Sequence, residues 1–364
     1  MRSEFGKNIR VSIWGGSHEP SIGVDITGLP PDTRIDMDAL SAFLARRAPG
    51  SSPFATKRTE PDIPVPIIGS QDGKYLTIFG DTVSFRIDNK DVRSGDYKAL
   101  RNVPRPGHAD YTTRMRYGDD LNMAGGGPFS ARMTAPLCIA GGIAIQILED
   151  VGIKVGAHIC RIGDVQDAPL DPVDIPDDLA EELKKRKPLA VIDPAAGHKM
   201  ADVITAAMEE QDSVGGVIEG FVTGLPAGIG GAMYDGLEST LAPILFGIPA
   251  VKGVEFGAGF GAAGMRGSEN NDPFCFEGDE VRTVTNNHGG ILGGITSGMP
   301  LITRVAFKPT PSIAREQDSV DLETGEPAKL VIKGRHDPCV VVRAVPIVEA
   351  ALAIGILDSM MEEL

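Results

Sequence analysis

Three short stretches carry the side chains best suited to proton transfer and anion binding: Gly15-Gly16-Ser17-His18, Arg105-Pro106-Gly107-His108-Ala109-Asp110-Tyr111 and Gly334-Arg335-His336-Asp337-Pro338-Cys339. Each sets a histidine beside glycine or proline, where the backbone is fixed in a turn and a ligand can approach closely. Two of the three add an aspartate and an arginine, whose planar fork matches phosphate or carboxylate. Histidine changes charge near neutral pH, so the set suits elimination of phosphate from a small acid. Arginines would hold the dianion, one histidine would protonate it as it leaves, and a base would remove a proton elsewhere. These side chains supply no driving force for breaking an unactivated C–H bond, so a cofactor is required, and the pattern alone does not name it. One Arg-His-Asp loop reads equally well as a solvated turn; three similar ones are expected to converge. A hydrolytic metal held by His18, His108, Asp110, His336 and Asp337 is the rival, but none shows a local His-x-x-x-His spacing and a metal would repel the arginines. No metal is expected.

The elements that must position these stretches belong to a chain of 364 residues, 42% hydrophobic and 23% charged, enough for a large core. No linker interrupts it, and residues 1–364 read as one domain. The net charge is −15 and no Lys/Arg-rich run offsets it, which argues against nucleic acid or an anionic membrane as partner. The cations gather in loops instead, among them Arg46, Arg47, Lys57, Arg58, Arg105, Arg132 and Lys308, as a small phosphorylated ligand would require. Cys138, Cys160, Cys275 and Cys339 have no paired spacing and read as reduced, buried thiols. Met1 to Gly6 lacks the plan of a signal peptide, and the apolar run Pro136 to Leu148 is too short to span a bilayer, so a cytoplasmic location is expected.

Alternation predicts strands over Asn8–Trp14 and Ile22–Ile26, and Asp36 is placed to cap a helix ending at Arg46-Arg47. Ile63–Ile68, Tyr75–Phe79 and Thr82–Ile87 read as an antiparallel meander, and Arg101–Arg132 as a long functional loop ending in Gly125-Gly126-Gly127. Helices are predicted from Ser130 to Asp150, Asp174 to Lys187, Lys199 to Gln211, Leu237 to Phe246 and Val345 to about Glu363, with strands at Val155–Ile162 and Leu301–Phe307. Thr27-Gly28-Leu29-Pro30 and Thr223-Gly224-Leu225-Pro226 each follow a strand and precede a helix. That repeat predicts an internal duplication, about 8–150 and 200–364, with Asn286–Gly298 as the counterpart of the Arg101–Arg132 loop. Helices between antiparallel sheets, an α+β fold, follow from the pattern.

Arg46-Arg47 before Pro49-Gly50, Arg105 to Tyr111, Ser130-Ala131-Arg132, Asp212 to Gly216, Val251 to Glu255, Asn286 to Gly298, Lys308-Pro309-Thr310 and Gly334 to Cys339, in this order, resemble the chorismate synthase family along nearly the whole chain. The resemblance implies a β-α-β sandwich, typically assembled as a homotetramer. It implies a lyase that converts 5-enolpyruvylshikimate 3-phosphate to chorismate and phosphate by 1,4-anti elimination, the last step of the shikimate pathway to aromatic amino acids. The cofactor implied is reduced FMN, not consumed overall, with NADPH as a candidate reductant. Carried over onto this chain, His18 protonates the departing phosphate, His108 the reduced flavin, and Asp337 assists proton removal. Arg46, Arg47, Arg105, Arg132 and Arg335 would bind substrate anions. Pro128, Phe129, Ser130, Ala250, Gly290, Lys308, Pro309, Thr310, Pro311, Ser312 and Arg335 fall where the family contacts flavin. The chain departs from the pattern at Gly16 and Glu19, whose types are exchanged around the proposed acid, at Pro128-Phe129, where an Arg-Ser pair is usual, and at Pro249 in place of Asn. The alternative is a divergent paralogue that binds flavin or a phosphorylated acid without making chorismate.

Overall fold

Period-two alternation of apolar residues builds two five-stranded antiparallel sheets in the computed structural model, which describes residues 2–50, 52–56, 60–78, 80–90, 102–118, 120–332 and 336–361. The first runs in the order Arg2–Phe5, Arg10–Gly15, Ser21–Thr27, Thr82–Asp88, Val65–Ile68. The second runs Val165–Gln166, Lys154–Ile162, Gly216–Thr223, Leu301–Phe307, Val251–Phe256. Residues Ile22, Val24 and Ile26 of one strand and Val83, Phe85 and Ile87 of its neighbour are all buried, facing the helices rather than water.

Helices Thr134–Asp150, Leu237–Gly247 and Val341–Met360 pack against these inner faces, and Met37–Arg47 packs on Thr134–Asp150 and Val341–Met360. Val341–Met360 is buried on every side, as its nearly continuous apolar sequence requires. Each Leu, Ile or Val so enclosed contributes roughly 1.5–3 kcal/mol. It crosses Thr134–Asp150 in backbone contact: a Cβ on Gly141 would stand 2.1 Å from the Cβ of Ala350. A larger side chain at 141 would force the two helices apart. By length and composition the segment Ala131–Asp150 could cross a bilayer, longer than the Pro136–Leu148 run suggested; 78% of it is packed inside the fold, as a core helix is.

Strand order, helix placement and neighbours repeat. Arg10–Gly15, Ser21–Thr27, Met37–Arg47, Val65–Ile68, Thr82–Asp88 and Thr134–Asp150 correspond in turn to Lys154–Ile162, Gly216–Thr223, Leu237–Gly247, Val251–Phe256, Leu301–Phe307 and Val341–Met360. The second set starts at residue 154 and not near 200, because the excursion 163–215 separates its first two strands. The segment ahead of Thr134–Asp150 therefore matches 308–340, whereas Asn286–Gly298 lies earlier, between two strands. Both segments that precede the central helices carry the site.

Local boundaries depart from the sequence pattern where prolines and partners intervene. Val65–Ile68 pairs directly with Thr82–Asp88, while Tyr75–Thr77 leaves for a small sheet with Arg34–Asp36 and Ser70–Asp72, so the expected meander is split. Pairing Ile35 with Leu76, both buried, favours that exchange. The Asp174 helix is only Leu179–Lys185, since Pro176 holds its predecessor extended. The next helix starts earlier, at Pro194, capped by Asp193 accepting from Ala195 and Ala196 N–H. The last begins at Val341 with Pro346 inside it, and Arg101–Arg132 contains a helix, Asp110–Tyr117. Asp36 caps Met37–Arg47 as expected, accepting from Asp38 and Ala39 N–H.

Candidate active site

Gly125, Gly126 and Gly127 all take positive φ, 64°, 90° and 52°, a run that residues with a Cβ do not sustain. The turn they form brings two histidines together. A Cβ on Gly125 would stand 2.1 Å from His18 Cε1, and one on Gly126 would stand 3.2 Å from His108 Nε2. Gly127 C=O accepts from Ser17 N–H at 3.1 Å, fixing the His18 turn against the glycines. Consecutive glycines thus touch one imidazole each.

His108 is oriented by its own loop. Its Nδ1 lies 2.8 Å from Asp110 Oδ1 and 3.0 Å from Arg105 Nη2, both of which hold the ring with Nε2 facing the glycine turn. Asp110 in turn receives Arg105 Nε and Nη2, each at 2.7 Å, while Arg105 Nη1 donates to Ser312 Oγ at 3.1 Å. Burial pushes the Asp110 carboxyl up, but the Arg105 and His108 hydrogen bonds outweigh it and hold it well below the usual range. Lys308 Nζ donates to Gly107 C=O, and Ser213 Oγ donates to Thr310 C=O at 2.7 Å, so Lys308 to Ser312 packs beside the His108 loop. Ala250, at a left-handed φ of 77°, accepts from Lys308 N–H at 3.0 Å.

A second group of charges lies behind. Asp62 receives Arg47 Nη1 at 2.5 Å and also pairs with Arg132 Nη1; Arg132 Nε donates to Asn89 Oδ1 at 3.0 Å. Burial lowers Arg47 to about 10 against the opposing charge of Asp62, so it remains a cation at neutral pH. Asp337 receives Arg343 Nε at 2.9 Å and Nη2 at 2.6 Å, and Thr56 N–H at 2.9 Å. Burial raises its carboxyl, but the Arg343 charge and hydrogen bonds prevail and keep it ionised.

His336, beside Asp337, is pushed down to about 4 by burial and by the charge of Arg105, so it is neutral near pH 7. Its Nε2 is buried and makes no hydrogen bond among the described residues. An unfolded histidine binds a proton near pH 6.5, the folded one only near 4, so stability falls as pH drops between those values. The loss reaches up to about 3 kcal/mol at about 1.4 kcal/mol per pH unit. His336→Asn is expected to flatten that part of the curve, read by urea unfolding at pH 7 and pH 4.5; an unchanged slope would leave the acid sensitivity to other groups.

The structure therefore gathers His18, His108, Arg105, Ser130, Lys308 to Ser312, Ala250 and, through Asn89 and Asp62, Arg132 and Arg47. Arg46 is not among them. One residue advances a helix by about 100°, so Arg46 faces away from Arg47 and forms a bidentate pair with Glu349 at 2.5 and 2.8 Å. Gly290 is packed against Pro300 C=O, at the start of Leu301–Phe307, with Lys308 beyond the other end, about 20 Å away at the rise of a strand. Phe129 is 38% exposed with its ring 6.5 Å from that of Tyr117, and Pro128 lies in the glycine turn beside it. Arg335, Lys57 and Arg58 lie outside the described residues. Asp62, Asn89, Asp110's orienting role and Arg343 escaped the sequence reading; only the His-x-Asp spacing of His108 and Asp110 hinted at one of them. Among the described residues no three His, Cys, Asp or Glu side chains gather as metal ligands, and arginines occupy Asp110 and Asp337. His158 is far from this chemistry, buried between Asp167 and Glu219 at 2.9 and 3.0 Å.

The family model described as chorismate synthase matches residues 9–361. A chorismate synthase of Lancefieldella parvula is 43% identical over 99% of this chain and 96% of its own length. One of Thermococcus gammatolerans is 44% identical over 98% of this chain and 97% of its own. A solved structure titled as the crystal structure of chorismate synthase superposes with a TM-score of 0.75 at 24% identity, over 99% of this chain and 93% of that one, a likeness of fold.

Proposed function

This chain belongs to the chorismate synthase family and is a lyase of that kind, and from that premise we propose that it eliminates phosphate from 5-enolpyruvylshikimate 3-phosphate with His18 and His108 as its proton-handling groups. The observation that carries the reading is the glycine turn 125–127, which sets the two imidazoles on consecutive residues next to a group of buried arginines.

In this reading Arg132 offers the substrate its Nη2, which makes no hydrogen bond among the described residues and lies 3.8 Å from the buried Glu60 Oε2. Arg47 lies beside it, sharing Asp62. His18 delivers a proton to the leaving phosphate, whose second pKa near 6 makes a protonated leaving group accessible at neutral pH. Asp110 holds the His108 ring so that its Nε2 is the atom that faces the glycine turn. Asp337, kept ionised by Arg343, assists removal of the substrate proton. Arg335 completes the anion-binding set, from outside the described residues.

The residues fit a flavin. The buried Nε2 of His336 has no hydrogen-bond partner among the described residues, the Phe129 ring is exposed for packing on a planar ring system, and Ser130 and Lys308 to Ser312 flank the same place. Reduced FMN, when bound, supplies transient electron density for breaking the C–O bond and is returned unchanged. Arg105 does not reach for substrate here; its fork is committed to Asp110 and Ser312, so it holds His108 in place. NADPH as reductant, a cytoplasmic location and a homotetramer belong to the same proposal, the last supported by Tyr234 and Phe260, 87% and 86% exposed.

The test is an anaerobic incubation of the phosphorylated substrate with chemically reduced FMN, following chorismate and phosphate together. Equal amounts of both, and neither without flavin, are expected. Flavin or substrate binding without product would favour the paralogue, and phosphate release independent of flavin would overturn the elimination.

A further inference from the structure

No sequence motif draws attention to Asp62, yet its buried carboxylate is held by two arginines. Its side chain is 0% exposed and its oxygens are divided, Oδ2 accepting from Arg47 Nη1 at 2.5 Å and Oδ1 from Arg132 Nη1. Its φ is 51°, the left-handed region that a residue with a Cβ enters at a cost of roughly 1–3 kcal/mol, so the surrounding fold holds it there. Asn89 continues the connection. Its Oδ1 accepts from Arg132 Nε at 3.0 Å, and its Nδ2 donates to Gly16 C=O at 3.2 Å and Glu19 C=O at 2.7 Å. Those carbonyls stand on either side of Ser17-His18, and Asn89 N–H donates to Pro20 C=O at 3.0 Å.

We infer that Asp62 and Asn89 are positioning residues: Asp62 aims Arg47 and Arg132 as one unit, and Asn89 ties that unit to the turn carrying His18. The inference rests on the proposed roles of Arg132 and His18. The reason for such a frame is geometric. An acid must meet the leaving oxygen of an anion gripped elsewhere, and an error of about 1 Å between grip and acid costs about a hundredfold in rate. A single amide that bonds the guanidinium on one side and two turn carbonyls on the other removes that freedom. A buried carboxylate between two arginines has one other use, as an internal stand-in for the substrate anion, and the two uses predict opposite signs.

The experiment compares Asp62→Asn, Asn89→Ala and Arg132→Ala in the full-length enzyme, each checked for folding by circular dichroism and thermal melting. Affinity for 5-enolpyruvylshikimate 3-phosphate is read by calorimetry, and kcat and KM with reduced FMN. Asp62→Asn is expected to weaken binding about tenfold or more, because two buried guanidiniums lose their shared counter-charge. Asn89→Ala is expected to lower kcat about ten- to hundredfold with KM changed by less than about threefold, since the arginines keep Asp62 while the His18 turn loosens. Unchanged affinity in a folded Asp62→Asn overturns the role of Asp62, and tighter binding assigns it to competition with the substrate. Should Asp62→Asn not fold, Asn89→Ala decides alone: wild-type kcat overturns the frame. If Arg132→Ala leaves affinity intact, the proposed role of Arg132 has failed, which is a different result from failure of the frame.

Discussion

His108→Ala is expected to lower kcat by about two to four orders of magnitude, the range for removal of a positioned proton-transfer group, while substrate affinity changes far less. The asymmetry follows from the geometry. His108 Nδ1 is engaged by Asp110 and Arg105, and its Nε2 faces the glycine turn, so the ring can act on a bound ligand through one atom only. In the proposed reading substrate charge is met by other groups, Arg47 and Arg132 among them, which keep their partners when the ring is removed. Asp110→Asn is expected to cost less, because the amide can still touch the ring but no longer brings a negative charge to it. Single-turnover kinetics at saturating substrate with reduced FMN read the chemical step directly. Near-wild-type turnover in His108→Ala would remove it from the mechanism, and a large rise in KM with unchanged kcat would make it a binding residue.

His18→Ala should produce a loss of the same size, and Gly125→Ala should reproduce much of it without touching a titratable group. A Cβ at 125 would lie 2.1 and 2.2 Å from His18 Cε1 and Nδ1 and 2.9 Å from Ser17 Oγ. The ring has to move, and residue 125 has in addition a φ of 64°, which alanine adopts only with strain. Misplacing a proton donor by an ångström is costly in rate even when binding is intact. Gly152→Ala serves as the control: its φ is likewise positive, 83°, but no atom lies within 4 Å of the added Cβ. Equal activities of the two alanine variants would show that His18 does not depend on the glycine turn. Retained activity in His18→Ala would leave the leaving phosphate to depart without it.

The residues proposed for chemistry stand out in the sequence because they interrupt regular structure. Gly, Pro and His in adjacent positions disfavour continued helix or strand, so Gly15 to His18 and Arg105 to Tyr111 read as turns, and they lie at the end of a strand and the start of a helix. Boundaries were less legible where a proline can play two parts: Pro346 reads as a helix start and sits inside the helix, whereas Pro194 is the start and passed unnoticed. Arg46 and Arg47 were indistinguishable as letters. Only the rotation of one residue along the helix, and the presence of Glu349 on one side and Asp62 on the other, separates them.

What the sequence determined by itself was the set of local preferences: alternation that makes the sheet strands, the all-apolar run of Val341–Met360 that must be a core helix, the Asp36 cap, and glycines where only glycine fits. These depend on neighbours a few residues away, whose spacing a linear text preserves. The tertiary structure decided which loops meet. Packing two similar halves around Thr134–Asp150 and Val341–Met360 brings Ser312 to Arg105 across 207 positions and Asp337 to Thr56 across 281. It also decided which charges are neutralised, since a carboxylate such as Asp62 acquires two arginines only when burial leaves water no access to any of the three. Those pairings depend on distance in space and on exclusion of solvent, and neither is written in the order of residues.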